Sequence, residues 1–366
     1  MKKTIAILAD YPVKKANHHQ AVWLTELHRE LEKREQYDIH WVILSKKHAK
    51  YEEYIARKQH FHVLPCGSRT LAQFLHYLPD RWKIANLLNK IRPDLLHAWG
   101  AEGCYGLCAT DFPGKKLFSL QGALTAYAQR AEMGAFMKRQ AHFEKKILRA
   151  VPFITTESEW ARDRVHELAP NAHVRLWEYA TESRFFAAER KISDSPCCLL
   201  ASTNSNIKNI PLAIKAFSSP ELRHVTLYLA GVPADAYPDL PDNIIPLGFV
   251  NRDKVVELLQ KCWAFIHPSF ADTGPTAIKE ARTVGIPCVV SAECGAKQYI
   301  IHEKSGYIIS PHDVQALKNA VLQLTSHKDI SLQMGAYDRE RCRLALSSQT
   351  MIDNLCRIYE EILEQK

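Results

Sequence analysis

The chain has 366 residues, of which 46% are hydrophobic and 24% charged, and its formal net charge at pH 7 is +8. These values are typical of a globular protein with two domains, and they exclude a disordered chain, a collagen-like fibre and a small disulfide-stapled protein. The longest apolar runs, such as residues 5–9, are much shorter than the ~20 residues that a membrane span requires. No signal-peptide pattern precedes that run, so we expect a cytoplasmic protein.

The cysteine and histidine patterns argue against disulfides and structural metal. Ten cysteines are spread along the chain without a Cys-x-x-Cys pair, and several lie inside apolar runs. Because free cysteine is among the most buried residue types, we predict reduced thiols in the core. The 17 histidines are scattered and do not combine with cysteine pairs at the spacing of a zinc site. The sequence therefore predicts no structural metal.

Short β-type runs alternate with helical patterns through the first half of the chain. This alternation is typical of α/β domains with a parallel sheet. The predicted strands lie near 4–10, 38–45, 61–65, 94–99, 116–121, 153–156 and 173–178. The predicted helices between them include 18–34, 80–92, 123–149 and 158–168.

The second half repeats the alternation. Its predicted strands lie near 197–202, 225–230, 244–247, 262–267, 287–291 and 306–309. Its predicted helices are 209–217, 252–261, 275–284, 295–302 and 312–326.

A polar stretch at 182–196, which has neither a strand nor a helix period, separates the two halves. We therefore predict a linker there, with one doubly wound domain over 1–182 and a second over 196–346. The tail, 347–366, has apolar residues at spacings of three and four, which predicts one more amphipathic helix. In such folds ligands bind outside the carboxyl ends of the strands.

The most informative segment runs from a predicted buried strand, through a loop that carries Asp272, into a helix that begins near Pro275. Gly274 just before the helix and proline in its first turn are good start signals. The free N–H groups of that turn and the helix dipole attract an anion. Glu280 lies one turn after Thr276, so a diphosphate on the turn would leave Glu280 facing an attached ribose. The alternative is an ordinary helix start with a surface carboxylate.

This segment resembles the C-terminal signature of glycosyltransferase family 4, whose fold is GT-B. The signature joins Pro-Ser, an acidic residue, Glu-Ala, Gly-x-Pro-x-Val and a glycine-containing loop. The similarity is good over 225–310 and looser over the rest of the chain. The matching residues are Pro268, Ser269, Asp272, Glu280, Ala281, Gly285, Pro287, Val289, Gly295 and Gly306.

The resemblance implies a fold and a donor site. The fold would be α/β, with two facing Rossmann-like, doubly wound domains, an interdomain cleft, and a last helix that packs back on the N-terminal domain. Glu280 resembles the glutamate that holds the donor ribose, and Asp272 stands at the position of the carboxylate that contacts the donor sugar. The turn for the donor phosphates would consist of Gly274, Pro275 and Thr276.

Two further positions of the donor site follow from the same resemblance. Lys208 resembles the lysine that contacts the donor diphosphate. Thr203 stands where the family usually has a partner arginine, so one positive charge is missing from the expected leaving-group site.

The N-terminal domain would bind the acceptor. Gln121 stands where a family histidine contacts the reacting sugar, and it can form hydrogen bonds but cannot act as a base. Glu102 follows a His-x-Trp-Gly turn and could reach the acceptor hydroxyl. His97 and Trp99 of that turn are candidate acceptor-side residues, with core packing at a strand end as the alternative. His18 lies in the first loop, which lacks the glycine pair usual in the family.

These features predict a retaining glycosyltransferase that moves a sugar from a UDP- or GDP-sugar to a saccharide or lipid-linked glycan acceptor in cell-surface polysaccharide or lipopolysaccharide synthesis. The departing diphosphate would help to deprotonate the acceptor, so positioning and charge stabilisation carry the reaction. We expect no metal and no cofactor, because Lys208 and a helix N-terminus would replace the metal. The alternatives are another GT-B enzyme, such as a sugar-nucleotide epimerase or phosphorylase, or a non-catalytic nucleotide-sugar binder.

The segment 130–149 carries six Lys or Arg and two Glu, with apolar residues at helical spacings. Such a basic amphipathic helix suits docking on an anionic membrane at the inner face of the cell envelope, so we expect a peripheral location. The alternative is a solvated helix packed on its own sheet. No nucleic-acid-binding module is present, so we expect no nucleic-acid partner.

Overall fold

A computed structural model describes residues 2–11 and 23–365 of the chain. The chain divides into two compact units. The first unit contains residues 1–128, 133–180 and 348–366, and the second contains 129–132 and 181–347. Among the described residues each unit is built on one sheet, and all but one of the strand pairs are parallel, as the alternation of strands and helices predicts.

The first unit has an eight-stranded sheet with the spatial order β3-β4-β2-β1-β5-β6-β7-β8, in which only the β3–β4 pair is antiparallel. Its strands are β1 (Lys3–Leu8), β2 (Tyr37–Ser45), β3 (Glu52–Ala56), β4 (Gln59–Pro65), β5 (Leu95–Trp99), β6 (Lys116–Ser119), β7 (Phe153–Thr156) and β8 (His173–Leu176). The helices of this half are α1 (Trp23–Leu31), α2 (Arg69–Phe74), α3 (Leu78–Ile91), α4 (Tyr105–Asp111), α5 (Leu124–Arg130), α6 (Ala135–Ala150) and α7 (Glu159–Leu168). The strand order reverses between β1 and β5, where ligands bind in doubly wound sheets.

The sequence analysis missed elements of this half. The predicted helix 123–149 is two helices, α5 and α6, because the chain is extended at Gly134 (φ −61°, ψ 156°) immediately before α6. Strand β3 was missed because none of its residues is buried and it begins with two glutamates. Charged side chains of this kind are usual on edge strands. Helix α4 was missed because it is short and contains Gly106, a poor helix former.

The second unit has a six-stranded parallel sheet with the order β11-β10-β9-β12-β13-β14. Its strands are β9 (Cys197–Ala201), β10 (Thr226–Ala230), β11 (Ile244–Gly248), β12 (Ala264–His267), β13 (Cys288–Ser291) and β14 (Gly306–Ile309). Its helices are α8 (Ser183–Phe186), α9 (Ile210–Phe217), α10 (Arg252–Lys261), α11 (Thr276–Val284), α12 (Val314–Thr325), α13 (Lys328–Ala336) and α14 (Arg339–Ala345). Its strand order reverses between β9 and β12.

Two expectations for this half are corrected. The stretch 182–196, predicted as a linker, contains α8 and packs into the second unit, where Phe185 is fully buried. The predicted helix 295–302 is a short 3₁₀ helix, Gly295–Tyr299, because the chain becomes extended at the β-branched Ile300 (φ −116°, ψ 121°).

The last helix, α15 (Ser348–Glu364), belongs to the first unit. Its apolar stripe, which includes Met351 and Leu355, lies in the same hydrophobic cluster as Trp23 of α1 and Ile39 of β2. The indole Nε1 of Trp177 also donates a hydrogen bond of 2.9 Å to the carbonyl oxygen of Met351. The first unit is therefore completed by a segment that is distant in the sequence.

Two further features of the structure are the state of the cysteines and the apolar length of the helices. All ten cysteines are free thiols, and only Cys66 is not buried. Within the described residues, no helix combines the length and the apolar character needed to cross a bilayer.

Candidate functional site

A cavity of about 280 Å³ lies in the first unit, at the carboxyl ends of β1, β2, β4, β5 and β6. These strands flank the reversal in strand order, where the loops diverge and leave space for a ligand. The lining includes Asp10, Arg69, Glu102, Tyr105 and Gln121. The cavity thus brings together Glu102 and Gln121, which the sequence analysis proposed for the acceptor side.

Glu102 is a partly buried carboxylate of this cavity. Its Oε1 accepts a hydrogen bond of 3.0 Å from the backbone N–H of Gly122. Its Oε2 has no hydrogen-bond partner elsewhere in the described residues. Burial raises the pKa of Glu102 to about 7, and the negative charge of Glu144 adds to the rise. A carboxyl group of this kind changes its protonation state near neutral pH, which is common at functional sites.

A glycine allows Glu102 and Gln121 to approach each other. Gly100, which follows β5, has φ +75°, a conformation that residues with a side chain rarely adopt. A Cβ at this position would lie 2.4 Å from Glu102 Oε2 and 2.7 Å from Gln121 Oε1. Gly100, the glycine of the His-x-Trp-Gly turn, therefore leaves space for two polar side chains. Glu102 follows Gly100 in the chain, and Gln121 follows β6.

Of the two aromatic candidates, only Trp99 lines the cavity. Its Nε1 donates a hydrogen bond of 2.8 Å to Tyr179 Oη, and its ring stacks on His97 with centroids 3.9 Å apart. His97 is fully buried, and its two ring nitrogens form 2.7 Å hydrogen bonds with Tyr359 Oη and Ser119 Oγ. The structure therefore favours core packing for His97, which was the alternative to the predicted acceptor-side role.

Other cavity residues were missed. Asp10 lies two residues after the end of β1, so its place at the carboxyl end of a strand was a usable signal. It accepts hydrogen bonds from Tyr105 Oη at 3.3 Å and Arg69 Nη2 at 3.2 Å. Arg69 and Tyr105 begin α2 and α4, two helices that the sequence analysis did not locate. His18, the remaining acceptor-side candidate, lies outside the described residues.

In the second unit, Lys208 and Asp272 come from loops that follow two neighbouring strands, β9 and β12. Lys208 Nζ lies 2.5 Å from Asp272 Oδ2, and His267 Nε2 lies 3.1 Å from the same oxygen. Burial alone would raise the pKa of Asp272, but the Lys208 ammonium and the His267 hydrogen bond hold it well below its usual range. Asp272 is therefore ionised and paired. His267, at the end of β12, was not predicted as a site residue.

Backbone hydrogen bonds join the loops that carry these residues to each other and to the segment that follows β13. The backbone N–H of Phe270 donates to the carbonyl oxygen of Ile207 at 2.8 Å. The N–H of Gly295 donates to the carbonyl oxygen of Asp272 at 2.8 Å. Lys208 and Asp272 thus sit on backbone held by hydrogen bonds, which is what a precise binding site needs.

Glu280 is buried on α11 and forms an ion pair with Arg252, a residue that the sequence analysis missed. Arg252 Nη2 lies 2.5 Å from Glu280 Oε1 and 2.5 Å from Glu182 Oε1. Burial raises the pKa of Glu280, and Arg252 partly offsets the rise. A usable signal existed, because Arg252 is the first residue of α10, where a cation opposes the helix dipole. Such a cation is expected to have carboxylate partners.

The predicted phosphate turn lies at the start of α11. The helix begins at Thr276, with Pro275 extended before it (φ −61°, ψ 119°). Gly274 and Thr276 are partly exposed, whereas Pro275 is buried. The first N–H groups of a helix have no partner within the helix, so this turn can bind an anion. Thr203 is exposed on the loop after β9 that also carries Lys208.

Two family models match the chain. Residues 20–179 match the model described as Glycosyltransferase Family 4, and residues 182–341 match the model described as Glycosyl transferases group 1. Together these matches take in most of both units.

Two Escherichia coli proteins are similar to part of the chain. UDP-Gal:alpha-D-GlcNAc-diphosphoundecaprenol alpha-1,3-galactosyltransferase is 25% identical over 128 residues, which is 35% of this chain and 32% of the relative. O-antigen chain mannosyltransferase C is 29% identical over 129 residues, 34% of each chain. The similarity thus spans about a third of the length of each relative.

One solved structure, sucrose-phosphate synthase from Thermosynechococcus elongatus, is similar over 99% of both chains, with a TM-score of 0.82 and 16% sequence identity. The likeness shows the fold, which is GT-B, as the resemblance in the sequence implies.

Proposed function

This chain belongs to glycosyltransferase family 4, and we propose that it is a retaining glycosyltransferase that moves a sugar from a UDP- or GDP-sugar to a saccharide or lipid-linked glycan. The observation that carries the proposal is the arrangement in the second unit. There a lysine and the start of α11 lie on hydrogen-bonded loops at the point where the strand order reverses. A cation next to free helix N–H groups is the chemistry that a diphosphate requires.

The donor would bind by exchange of ion pairs. Lys208 contacts Asp272, and a diphosphate, which carries more negative charge than one carboxylate, would compete for the same ammonium. Asp272 would then be released toward the donor sugar while His267 continues to orient it. Glu280 uses Oε1 for Arg252, and a carboxylate has about four lone-pair sites, so it can also accept hydrogen bonds from ribose hydroxyls.

The acceptor would bind in the cavity of the first unit. Glu102, when ionised, would accept a hydrogen bond from the reacting hydroxyl, and Gln121 would bind a neighbouring hydroxyl. The two side chains are close together over Gly100 and thus can orient one sugar ring from adjacent positions. In this role Glu102 positions the nucleophile, and its ionisation near pH 7 makes acceptor binding dependent on pH.

In the reaction, the bond between the sugar C1 and the diphosphate oxygen breaks as the acceptor oxygen bonds to C1 on the same face of the ring. The acceptor proton passes to the departing diphosphate, so the leaving group is also the base. Lys208 and the N-terminus of α11 stabilise the charge that develops on the diphosphate. Neither a metal nor a cofactor takes part in this proposal.

We further propose that the acceptor is lipid-linked and that the protein acts at an anionic membrane surface in cell-surface polysaccharide synthesis. The relatives support this choice, since one is named for a diphosphoundecaprenol substrate and another for the O-antigen chain. The basic segment 130–149 alone does not give an amphipathic surface, because Phe143, Ile147 and Leu148 of α6 are buried in the first unit.

An apolar surface lies beside α6 instead. It is formed by five exposed large side chains of α2, α3 and the turn between them: Leu71, Phe74, Leu75, Leu78 and Trp82. The guanidinium of Arg139, on α6, lies 4.3 Å from the centre of the Phe74 ring. An apolar surface with a cation beside it is complementary to the interface of an anionic bilayer.

Vesicle sedimentation tests the membrane proposal. Wild type should bind vesicles that contain phosphatidylglycerol more tightly than vesicles of phosphatidylcholine alone. Replacing Leu71 and Trp82 by Ser should abolish binding, and Arg139→Glu should weaken it on the anionic vesicles. Ile55→Ser, which changes an exposed apolar side chain on edge strand β3, is the matched control and should bind as wild type does. Equal binding by all variants would refute this surface as the docking site.

A thermal-shift panel tests the catalytic proposal. UDP, GDP, ADP and CMP, each with its sugar conjugates, would be added to wild type, Glu280→Gln and the control Glu257→Gln, which changes an exposed carboxylate of α10. A ligand that binds only the folded state raises the melting temperature. We expect UDP or GDP and their conjugates to stabilise wild type and the control but not Glu280→Gln.

The nucleotide identified by the panel would then be used as a labelled sugar conjugate with saccharide and lipid-linked acceptors. The anomeric configuration of the product, read by NMR, tests retention. Stabilisation by a nucleotide without transfer to any acceptor would support a non-catalytic binder, and release of a free altered sugar nucleotide would support an epimerase.

A further inference from the structure

A histidine cluster lies on the first unit's sheet, outside the cavity. Strands β2 and β4 are parallel, and His40 is the register partner of His60. Residues that are direct partners, or two apart on one strand, share a face of the sheet, so Asp38, His40, His60 and His62 lie on the same face. On the opposite face, Ile39 and its neighbours form the hydrophobic core.

The spacing within this cluster suits a metal ion. Asp38 Oδ2 lies 3.4 Å from His40 Nε2, and Asp38 Oδ1 lies 3.8 Å from His60 Nε2. Two ligands of one tetrahedral zinc, each about 2.1 Å from it, are about 3.4 Å apart. One ligand atom from each of the three residues lies within 4.8 Å of the other two. The His60 ring stacks on the His40 ring with centroids 4.5 Å apart, and because its side chain is 32% exposed, it can rotate out of this stack to direct Nε2 at the same point without disturbing the core.

A chain of hydrogen bonds fixes which nitrogen of His40 carries its proton. Tyr51 has one hydroxyl proton, which it donates to Glu53 Oε2 at 2.8 Å, because a carboxylate can only accept. His62 Nδ1, 2.8 Å from the same hydroxyl oxygen, must therefore donate to it. His62 Nε2 is then unprotonated and accepts from His40 Nδ1 at 2.9 Å.

This hydrogen-bond chain also determines the state of the other nitrogen of His40, Nε2. Nε2 of the neutral ring is left with a lone pair that points toward the Asp38 carboxylate. Two electron-rich atoms 3.4 Å apart repel each other unless a proton or a metal ion lies between them. A ring nitrogen held by an outer hydrogen bond, with the other nitrogen directed at a shared point, is the arrangement of a metal-ligating histidine.

We propose that Asp38, His40 and His60 form a binding site for Zn²⁺, in which His62, Tyr51 and Glu53 hold His40 in the ligating tautomer. Three protein ligands leave one position of a tetrahedral zinc for water. The site would join β2 to β4 at the edge of the sheet, next to the antiparallel strand β3. It is independent of the proposed transferase reaction, to which none of its residues contributes.

Equilibrium dialysis of the full chain, without an affinity tag, against Zn²⁺ tests the site. Wild type should bind one Zn²⁺ per chain, and His60→Gln should bind it at least tenfold more weakly. His166→Gln, which changes an exposed histidine of α7, is the matched control and should bind as wild type does. Tyr51→Phe removes the hydroxyl that orients His62 and should weaken binding by about tenfold, as loss of an outer-shell partner does.

Spectroscopy with Co²⁺ in place of Zn²⁺ gives a second readout. Wild type should show the intense visible bands of four-coordinate Co²⁺, and His60→Gln should not. Thermal melts of both proteins without metal check that the variant folds. Failure of wild type to bind Zn²⁺ at stoichiometric concentration, or equal affinity in wild type and His60→Gln, would overturn the proposal. Nucleotide binding in the thermal-shift panel should be the same for both proteins, so this result and that of the proposed function are separate.

Discussion

Both units place carboxylates where the strand order of the sheet reverses, but the two sets have different partners. In the second unit Asp272 contacts Lys208, and Glu280 contacts Arg252. In the first unit the hydrogen-bond partner of Glu102 is a backbone N–H, and within the described chain no cation forms an ion pair with it. Asp272 is buried and Glu102 is partly buried, and yet the pKa of Asp272 falls while that of Glu102 rises to about 7.

The comparison indicates what each unit is built to bind. Paired carboxylates and cations can exchange partners with a charged ligand, which suits a nucleotide diphosphate. An unpaired buried carboxyl group costs folding free energy and is retained where it meets a ligand or a proton. Glu102 therefore suits a neutral sugar hydroxyl that needs a hydrogen-bond acceptor, whereas Asp10 in the same cavity is paired with Arg69.

The largest effect should come from breaking the charge pairing in the second unit. Lys208→Ala removes the cation proposed for the departing diphosphate and should lower kcat about 10²- to 10³-fold, the usual cost of losing one group that stabilises developing charge. Transfer from the labelled donor would be measured under saturating acceptor. Lys215→Ala, on the exposed face of α9, is the control. An unchanged kcat in Lys208→Ala would show that the leaving group is stabilised elsewhere.

The next effect concerns the carboxyl group of the first unit. Glu102→Gln keeps an oxygen for Gly122 but cannot ionise, so kcat/KM should fall about 10- to 100-fold, the usual cost of losing a hydrogen bond to a charged group. In wild type, kcat/KM should rise with pH through about 7 as Glu102 loses its proton. Glu102→Gln should lack this rise. A pH profile of the same shape in both proteins would contradict the role given to Glu102.

The same substitution should stabilise the protein. A glutamate in the unfolded chain has a pKa of about 4.5, whereas the pKa of Glu102 in the folded protein is about 7. Between these values the unfolded chain loses the proton that the folded chain keeps, so stability falls as pH rises from about 4.5 to 7 and stays reduced above it. Glu102→Gln removes this loss, which amounts to up to about 3 kcal/mol at pH 8.

Melting temperatures of Glu102→Gln and wild type should therefore differ by several degrees at pH 8, with the variant higher, and converge near pH 4.5. Burial also raises the pKa of Glu144 to about 7. Both proteins therefore keep the part of the pH dependence of stability that is due to Glu144. A variant less stable than wild type at pH 8 would mean that Glu102 is ionised and compensated in the folded protein.

The smallest effect on catalysis should come from His97, which is buried and does not line the cavity. His97→Gln disrupts two buried hydrogen bonds and should lower the free energy of unfolding by about 1–3 kcal/mol. At a temperature where the variant is folded, its KM and kcat should match those of wild type. Chemical denaturation and steady-state kinetics measure the two quantities. A raised acceptor KM in fully folded His97→Gln would restore the acceptor-side role.

Local patterns were sufficient for most of the sheet strands and for the donor-side segment. Buried parallel strands are short apolar runs, and the start of α11 is marked by Gly274 and Pro275, so both are readable from neighbouring residues. Local patterns did not identify edge strand β3, the short helices α2 and α4 or the break before α6, because none of them has a strong apolar period. The proposed roles of Asp272, Glu280, Lys208, Glu102 and Gln121 stay predictions until the kinetics are measured.

The pairing of charges depended on the fold. Arg252 is 28 residues from Glu280 in the sequence, and Lys208 is 64 residues from Asp272. Nothing in the spacing of such residues indicates that they meet. His40 and His60 likewise come together only through strand register, which is why the scattered histidines predicted no metal. That the reaction needs no metal thus remains a prediction. The proposed zinc site on the sheet differs from the prediction of no structural metal.

By itself the sequence determined the α/β class, the family and the position of the residues that follow each strand, since these depend on periodicity and on motifs within a few residues. The tertiary structure decided which of these residues are buried, paired or left alone. Glu102 and His97 illustrate the reason, because both lie within a few residues of β5's end and yet one lines a cavity while the other is covered by α15. Burial and partner choice arise from segments far apart in the chain, and they set the charge state on which the proposed chemistry depends.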